Sequence, residues 1–300
     1  NFCALDNEGN ATCWGDPDYE KLELPDTKFS SMASGRYHIC GIDEYRGMRC
    51  WGYNQYDILN VDSDDDGADF FSDCDDNDDS NTIGSLSDCP GRSCASILEF
   101  HTSSTNGTYF IDPKEEGSFE VECDMSNGGF TKVFYQDTVE GYLSNLAEAQ
   151  SINSTTPTAN HYSILDYLDD IKFGSDYEFR MAWPNNTINI NHWMQSSNPT
   201  LTTTVSDYSA IDVTCLTNLW RGLALSSDDG VFLDGTDAED VWYSVGVIDS
   251  DGDGDPDYHE DENGTDKNDS SDGSSEPEYP TGRIRSGCTQ ETSNVELWFK

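Results

Sequence analysis

The chain has 300 residues, 59 acidic side chains against 15 basic ones, and a formal net charge of −44. That balance excludes nucleic acid as a partner, because phosphate contacts need a basic face; it argues against an anionic membrane surface and favours cations, high salt or seawater. Ten cysteines, an even number, in a chain rich in Asn, Ser and Thr point to disulfides and an oxidising, extracellular or cell-surface setting, and no apolar run approaches the roughly 18 residues of a membrane span.

The acid is concentrated. Residues 62–79 hold ten Asp and no Lys or Arg, and residues 249–278 hold thirteen acids and one Lys. No leader sequence and no initiating Met are visible, so the chain reads as a processed or excised piece of a secreted or surface protein. N-x-S/T sequons occur at Asn10, Asn106, Asn153, Asn185, Asn263 and Asn268, which is weak support for a glycoprotein in so Ser- and Thr-rich a chain.

Residues 1–60 contain an internal repeat. Cys3, Cys13, Trp14 and Gly15 recur 37 residues later as Cys40, Cys50, Trp51 and Gly52. The nine residues between the cysteines hold a turn, so Cys3–Cys13 and Cys40–Cys50 are each expected to bridge their own hairpin, with the Trp covering the bridge. With Leu24-Pro25 and the run 29–38 upstream of the second copy, the segment resembles the regulator-of-chromosome-condensation type of propeller repeat. Such a repeat does not bury its face alone. One and a half copies therefore imply a missing neighbour, or packing on the adjoining domain or another chain.

Residues 61–90 form an Asp-rich linker. Asp62, Asp64, Asp66 and Asp73 fall at positions 1, 3, 5 and 12 of an EF-hand-like loop, with Asp69, Asp75 and Asn77 as further oxygen donors. Alternate carboxylates followed by Gly converge as Ca²⁺ requires. The segment resembles thrombospondin type 3 calcium spacers; the alternative is a solvated acidic linker. Cys74 and Cys89 are expected to clip it.

From Cys94 to Val133 the chain reads as a disulfide-framed β unit. Residues 109–111, 119–122 and 130–133 are strand-like, Asp112-Pro113 and Glu116-Gly117 mark turns, and Gly128-Gly129 a tight one. A Cys94–Cys123 bridge would close a loop of about 30 residues, worth about 3–4 kcal/mol. Beyond it, 143–149 and 162–171 read as helices, and 177–183 and 242–247 as strands. Trp183, Trp193, Trp220 and Trp242 read as core, with a ligand platform as the alternative. His161 and His192 read as structural or exposed.

Residues 249–260 carry the sharpest metal signal. Asp249, Asp251, Asp253, Asp255 and Glu260 occupy positions 1, 3, 5, 7 and 12 of the EF-hand loop pattern, and Asp257 position 9. The flanks do not read as helices, so a Ca²⁺ loop without the hand is expected. Asp266, Asn268 and Asp272 offer a further site. The tail, Ser286-Gly287-Cys288 and 294–300, ends in a strand pattern, and Cys215–Cys288 follows by elimination.

The runs Ser93-Cys94, Gly107 to Pro113, Phe119 to Met125 and Gly128 to Thr131, with the tail, resemble the fibrinogen-related domain shared with ficolins and intelectins. Phe130 stands where that family usually has Trp. The likeness brackets 91–300 and implies binding of acetylated groups, glycan diols or proteins, with Ca²⁺ ordering loops near the C-terminal part. The expected fold class is multi-domain and mainly β: propeller-type repeats at 1–60, a calcium linker at 61–90 and an α+β domain at 91–300, stapled by disulfides. No phosphate loop, nucleophile elbow, H-E-x-x-H or C-x-x-C occurs, so no enzyme is expected. The function expected is calcium-stabilised recognition or adhesion, lectin-like, toward glycans or surface proteins. The alternative is a structural subunit of a surface layer, filament or appendage that meets copies of itself or neighbouring domains through 1–60.

Overall fold

The computed structural model describes residues 2–15, 18, 22–44, 47–53, 73–74, 81–184, 191–214, 220–227, 230–235, 244–253, 256–257, 260, 266–271 and 293–300. The chain is mainly β and divides into two compact units, residues 1–119 with 125–129, and residues 120–124 with 130–300.

In the first unit, β1 (Phe2–Leu5) and β2 (Ala11–Trp14) form a hairpin, and β3 (Phe29–Ser34), β4 (His38–Asp43) and β5 (Met48–Gly52) form a separate antiparallel sheet. The repeat is structural as well as sequential. Cys3 pairs with Cys13 in register and Cys40 with Cys50, and each pair is a disulfide with Cα atoms 4.1 Å apart. The carboxylate of Asp6 accepts the Asn10 N–H at 2.9 Å, and that of Asp43 accepts the Gly47 N–H at 3.0 Å, at matching positions of the two turns. Gly15 and Gly52 both adopt positive φ, which only glycine does without strain.

The tryptophans do not cover the bridges as expected. Neighbours in a strand point to opposite faces, so Trp14, next to Cys13, lies across from the bridge and stacks on Phe2 at 6.3 Å, while Trp51 meets Phe29 at 5.6 Å. The second copy abuts α1 (Cys94–Phe100) of the same unit. A Cβ at Gly47 would collide with the Phe100 ring, Arg49 pairs with Glu99 at 2.9 Å, and Arg92 donates to the Glu44 carbonyl at 2.8 Å.

Helix α1 stands where the sequence reads as part of a β unit. Ser93 caps it, accepting the Ser96 N–H, while the Ser96 hydroxyl accepts the Ser93 N–H at 2.9 Å. Both ends of a capping box are thus satisfied. Strand β6 (Gly107–Ile111) follows as expected. Cys74 and Cys89 are bridged, and Asp73 pairs with Thr82. Cys94 and Cys123 are also disulfide-bonded, whereas Cys215 and Cys288 lie outside the described residues.

The second unit is built on a large antiparallel sheet and a smaller one. The strands of the large sheet are β7 (Phe119–Asp124, from Glu120), β8 (Phe130–Asp137), β9 (Ser151–Ile152), β10 (His161–Ile164), β11 (Tyr177–Ala182), β12 (Asn191–Gln195) and β13 (Ser209–Asp212), with a last strand contributed by the C-terminus. A second sheet orders β14 (Leu223–Leu225), β15 (Val231–Gly235) and β16 (Ser244–Val247). The C-terminal β17 (Asn294–Phe299) is the centre of the first sheet, which runs β13-β12-β11-β17-β8-β10-β9, with β7 beside the start of β8.

The two faces of this sheet differ. Phe179, Leu297, Phe299 and Trp193 are fully buried in one core. The other face carries Lys132 opposite Trp298, Trp298 opposite Arg180 and Arg180 opposite His192. Its charges are paired: Lys132 with Glu122, Arg180 with Asp124 at 2.6 Å and His192 with Glu178 at 2.7 Å. Trp183, Trp193 and Trp220 are at most 1% exposed, which removes them as an exposed platform; Trp242 lies outside the described residues.

Helix α2 (Leu146–Gln150) overlaps the predicted 143–149 but starts three residues later, after its Asn145 cap, and runs one residue further. The predicted helix 162–171 is instead strand β10, a 3₁₀ turn Leu165–Tyr167 and α3 (Leu168–Ile171). The reason lies in pairing: Tyr162 and Ser163 sit opposite Tyr135 and Phe134 on the open edge of β8, and Tyr162 and Ile164 are fully buried there.

Candidate metal centre

The loop that follows β16 is held by the core on its incoming side. Gln136, buried on β8, accepts the Val247 N–H at 2.9 Å and donates to the Val247 carbonyl at 3.0 Å. Leu143 then brackets the next turn: its N–H bonds the Val247 carbonyl, and its own carbonyl accepts the Asp249 N–H at 2.9 Å. The first acidic residue is therefore fixed before the loop begins.

Within the loop, ligand atoms of Asp249, Asp251 and Asp253 all lie within 4.8 Å of one another. Asp249 Oδ1 accepts the Gly252 N–H at 2.7 Å, and Asp251 Oδ1 accepts the Asp253 N–H at 3.2 Å, which turns alternate carboxylates inward. Gly252 sits at φ 78°, the left-handed conformation that glycine tolerates. Asp257 and Glu260 follow in helical backbone. Asp257 accepts the Ser250 N–H and the Ser250 hydroxyl, both at 2.6 Å, so it closes the loop on itself. Glu260 is 0% exposed, and both its carboxylate oxygens are shielded from solvent.

The sequence therefore finds the three clustered aspartates by their spacing. Asp255, between them and Glu260, lies outside the described residues, as do Asp62, Asp64, Asp66, Asp69, Asp75, Asn77 and Asp272. Asp73, the one described residue of the first acidic set, sits beside its Thr82 pairing in the Cys74–Cys89 clip. Asp266 accepts the Asn268 N–H at 3.1 Å and forms a local turn. What sequence reading missed is Ser250, the partner of Asp257. Its signal was its place, position 2, seven residues before an Asp.

The donor set tests well against a hard cation. Among the described residues every grouped ligand is a carboxylate oxygen, and three lie within the span of one ion's coordination sphere. Three carboxylates this close repel one another in a partly desolvated site. Ca²⁺ relieves that repulsion and takes oxygen ligands in irregular number. The residues present fit the ion: Asp249, Asp251 and Asp253 would hold it, with Asp257 as the clamp of the loop.

No protein-family model matches the chain, and no curated protein matches it. Among solved structures, the chain is similar to the fibrinogen-like globe domain of human ANGPTL2, with 14% identity, 70% of this chain and 98% of that chain covered, and a TM-score of 0.39.

Proposed function

We propose that this chain is a non-enzymatic, calcium-stabilised recognition or adhesion protein of the extracellular space or cell surface. The observation that carries the reading is the convergence of Asp249, Asp251 and Asp253 within 4.8 Å in a loop anchored to the β-sheet core. In this reading Ca²⁺ fixes the loop after β16, and the Asp-rich linker 61–90 binds further ions in the manner of a thrombospondin type 3 spacer. The bridged cysteines support an oxidising compartment. The fibrinogen-related sequence motifs of 91–300 suggest a glycan or surface-protein ligand. With three tryptophans in the core, a glycan platform would come from other aromatic side chains.

A second reading is favoured by a separate observation. Phe2 and Trp14, 68% and 50% exposed, leave one face of the first repeat open. Propeller-type repeats with an open face would serve as assembly surfaces in a surface layer, filament or appendage. One experiment weighs both readings: thermal unfolding and light scattering during a calcium titration, with chelator as reference. At about 100 times Kd a single site stabilises by about 2.7 kcal/mol. A melting shift at constant mass supports the recognition module, and growth in mass on adding Ca²⁺ supports assembly. No response at millimolar Ca²⁺ removes the calcium reading.

A further inference from the structure

Among the described residues, the ion pairs of Arg49 and Arg180 use a guanidinium and that of His192 an imidazole. Lys132–Glu122 is the described pair that sets a carboxylate against a primary amine. The difference is chemical. A guanidinium keeps its proton in proteins, whereas a desolvated lysine amine serves as a nucleophile.

The large sheet places the two groups together. β7 and β8 pair through Asp124 and Phe130 and through Cys123 and Thr131, and the next rung of that register sets Glu122 opposite Lys132. Lys132 Nζ is in direct contact with Glu122 Oε2, and the lysine side chain is 7% exposed. Its Nζ lies 5.6 Å from the Tyr135 ring centroid and 6.0 Å from that of Trp298. Tyr162, fully buried opposite Tyr135, is within electrostatic reach of Glu122. A second carboxyl completes the cluster. Glu296 on β17 lies opposite Tyr135, interacts with both Lys132 and Glu122, and accepts a hydrogen bond from the Trp298 side chain. Burial pushes its carboxyl up, so it holds a proton more readily than an ordinary glutamate. A surface salt bridge has neither the aromatic wall nor the second acid.

We propose that Lys132 Nζ and Glu122 Cδ join as an amide, an intramolecular isopeptide bond between β8 and β7, with Glu296 relaying the proton. This goes beyond the recognition and assembly readings and does not depend on calcium. The step balances as a condensation. Burial makes an ion pair costly, and a proton passed from Nζ to the Glu122 carboxylate leaves an amine beside a neutral carboxyl. The Nζ lone pair attacks Glu122 Cδ, and the C–N bond forms. Glu296 takes a proton from the nitrogen and returns one to the departing oxygen. The Cδ–O bond breaks, and one water leaves. Nothing is oxidised or reduced, and no co-reactant is consumed. The product is a covalent rung between β7 and β8, one pair beyond Cys123.

The test is the mass of the whole chain after its disulfides are reduced and alkylated. The expected value is lighter than the sequence by one water. An Asp-Gly step such as Asp251-Gly252 can also lose water, as a cyclic imide, so a tryptic digest of the denatured chain locates the loss. Cleavage after Lys132 is expected to fail, and one branched peptide is expected to carry both Glu122 and Lys132. Lys132→Arg keeps the charge and is expected to restore the full mass and linear peptides. Glu296→Gln is expected to slow closure by about 100-fold or more, leaving the chain largely unlinked at the same hydrodynamic size. Wild type of full mass that is cut after Lys132 overturns the proposal, and so does a mass loss that persists in Lys132→Arg. Equal linkage in Glu296→Gln and wild type overturns the relay by Glu296.

Discussion

Ser250 gives Asp257 two hydrogen bonds of 2.6 Å, one from its backbone N–H and one from its hydroxyl. The pair ties position 2 of the acidic loop to position 9. Side chains that orient metal ligands usually cost 10- to 100-fold in affinity when removed. Asp257→Ala is expected to weaken calcium binding by about that factor. Ser250→Ala keeps the backbone bond and is expected to cost less, with about 1 kcal/mol of stability from the lost hydroxyl bond. Calorimetric titration of both variants with Ca²⁺ checks the order. Equal affinity of Asp257→Ala and wild type would show that the clamp does not organise the site.

Asp251→Asn separates a metal site from a merely acidic loop. Asp249, Asp251 and Asp253 are mutually repulsive without a cation. Removing one charge is expected to raise the melting temperature in chelator and to shrink the rise that calcium produces. A solvated linker predicts neither change. Melting curves of both proteins, with and without calcium, decide between them, and a variant stabilised as much as wild type by calcium would exclude Asp251 as a ligand.

Arg180 and Asp124 are 2.6 Å apart, with side chains 11% and 13% exposed, and the guanidinium also lies 5.0 Å from the Phe130 ring centroid. Truncating one partner leaves the other charge buried. Asp124→Ala and Arg180→Ala are each expected to cost about 3–5 kcal/mol, while the double variant Asp124→Ala/Arg180→Ala should cost well under the sum of the two. Urea unfolding of the three variants forms the cycle, and additive losses would mean the pair is not coupled.

What could be read from the sequence follows physical range. The cysteine hairpins were legible because a covalent pair ten residues apart leaves little choice, and the clustering of Asp249, Asp251 and Asp253 because alternate carboxylates around Gly252 leave a local pattern. Strands β6, β7, β8 and β11 announced themselves by β-branched and aromatic runs. Helix α1 did not, since its Ser93–Ser96 capping box uses a second serine where Glu or Gln is the usual signal. Residues 162–171 carry a helical pattern that the open edge of β8 overrides. The grip of Gln136 on Val247 spans 111 positions, and Arg180 on Asp124 spans 56. Neither leaves a local trace. The direction of Trp14 and Trp51 needed only strand alternation, which the expectation of a covered disulfide overlooked.

The matching turn aspartates of the repeat differ in setting, and so should their substitutions. Asp43 is 1% exposed, bonded to Arg49 at 2.6 Å and to the Gly47 N–H. Asp6 is exposed and bonded to Asn10 and the Glu8 N–H. Asp43→Ala leaves Arg49 with Glu99 alone and opens a buried turn, and is expected to cost about 2–4 kcal/mol. Asp6→Ala should produce only a small change. Chemical unfolding of the two variants measures the contrast, and similar losses would mean that turn geometry, and not burial, sets the contribution.

Two carboxylates of the charged sheet face should act on stability with opposite signs in acid. The Glu178 carboxyl is held below its ordinary range, chiefly by its hydrogen bond to His192 and helped by Lys300 and Arg180. A lowered carboxyl stabilises the fold above the unfolded value of about 4.3 and loses that contribution as pH falls through the folded value. The Glu296 carboxyl is pushed up, chiefly by burial, against the opposing pull of Trp298, Lys132 and Arg180. Its ionisation costs stability as pH rises from the unfolded value through the folded one. Glu178→Gln should therefore flatten the fall in stability below about pH 4.3, and Glu296→Gln the fall above it. Urea midpoints taken in small steps from about pH 3 to pH 7 resolve the two slopes. Parallel profiles for both variants and wild type would mean that neither carboxyl titrates differently in the folded chain.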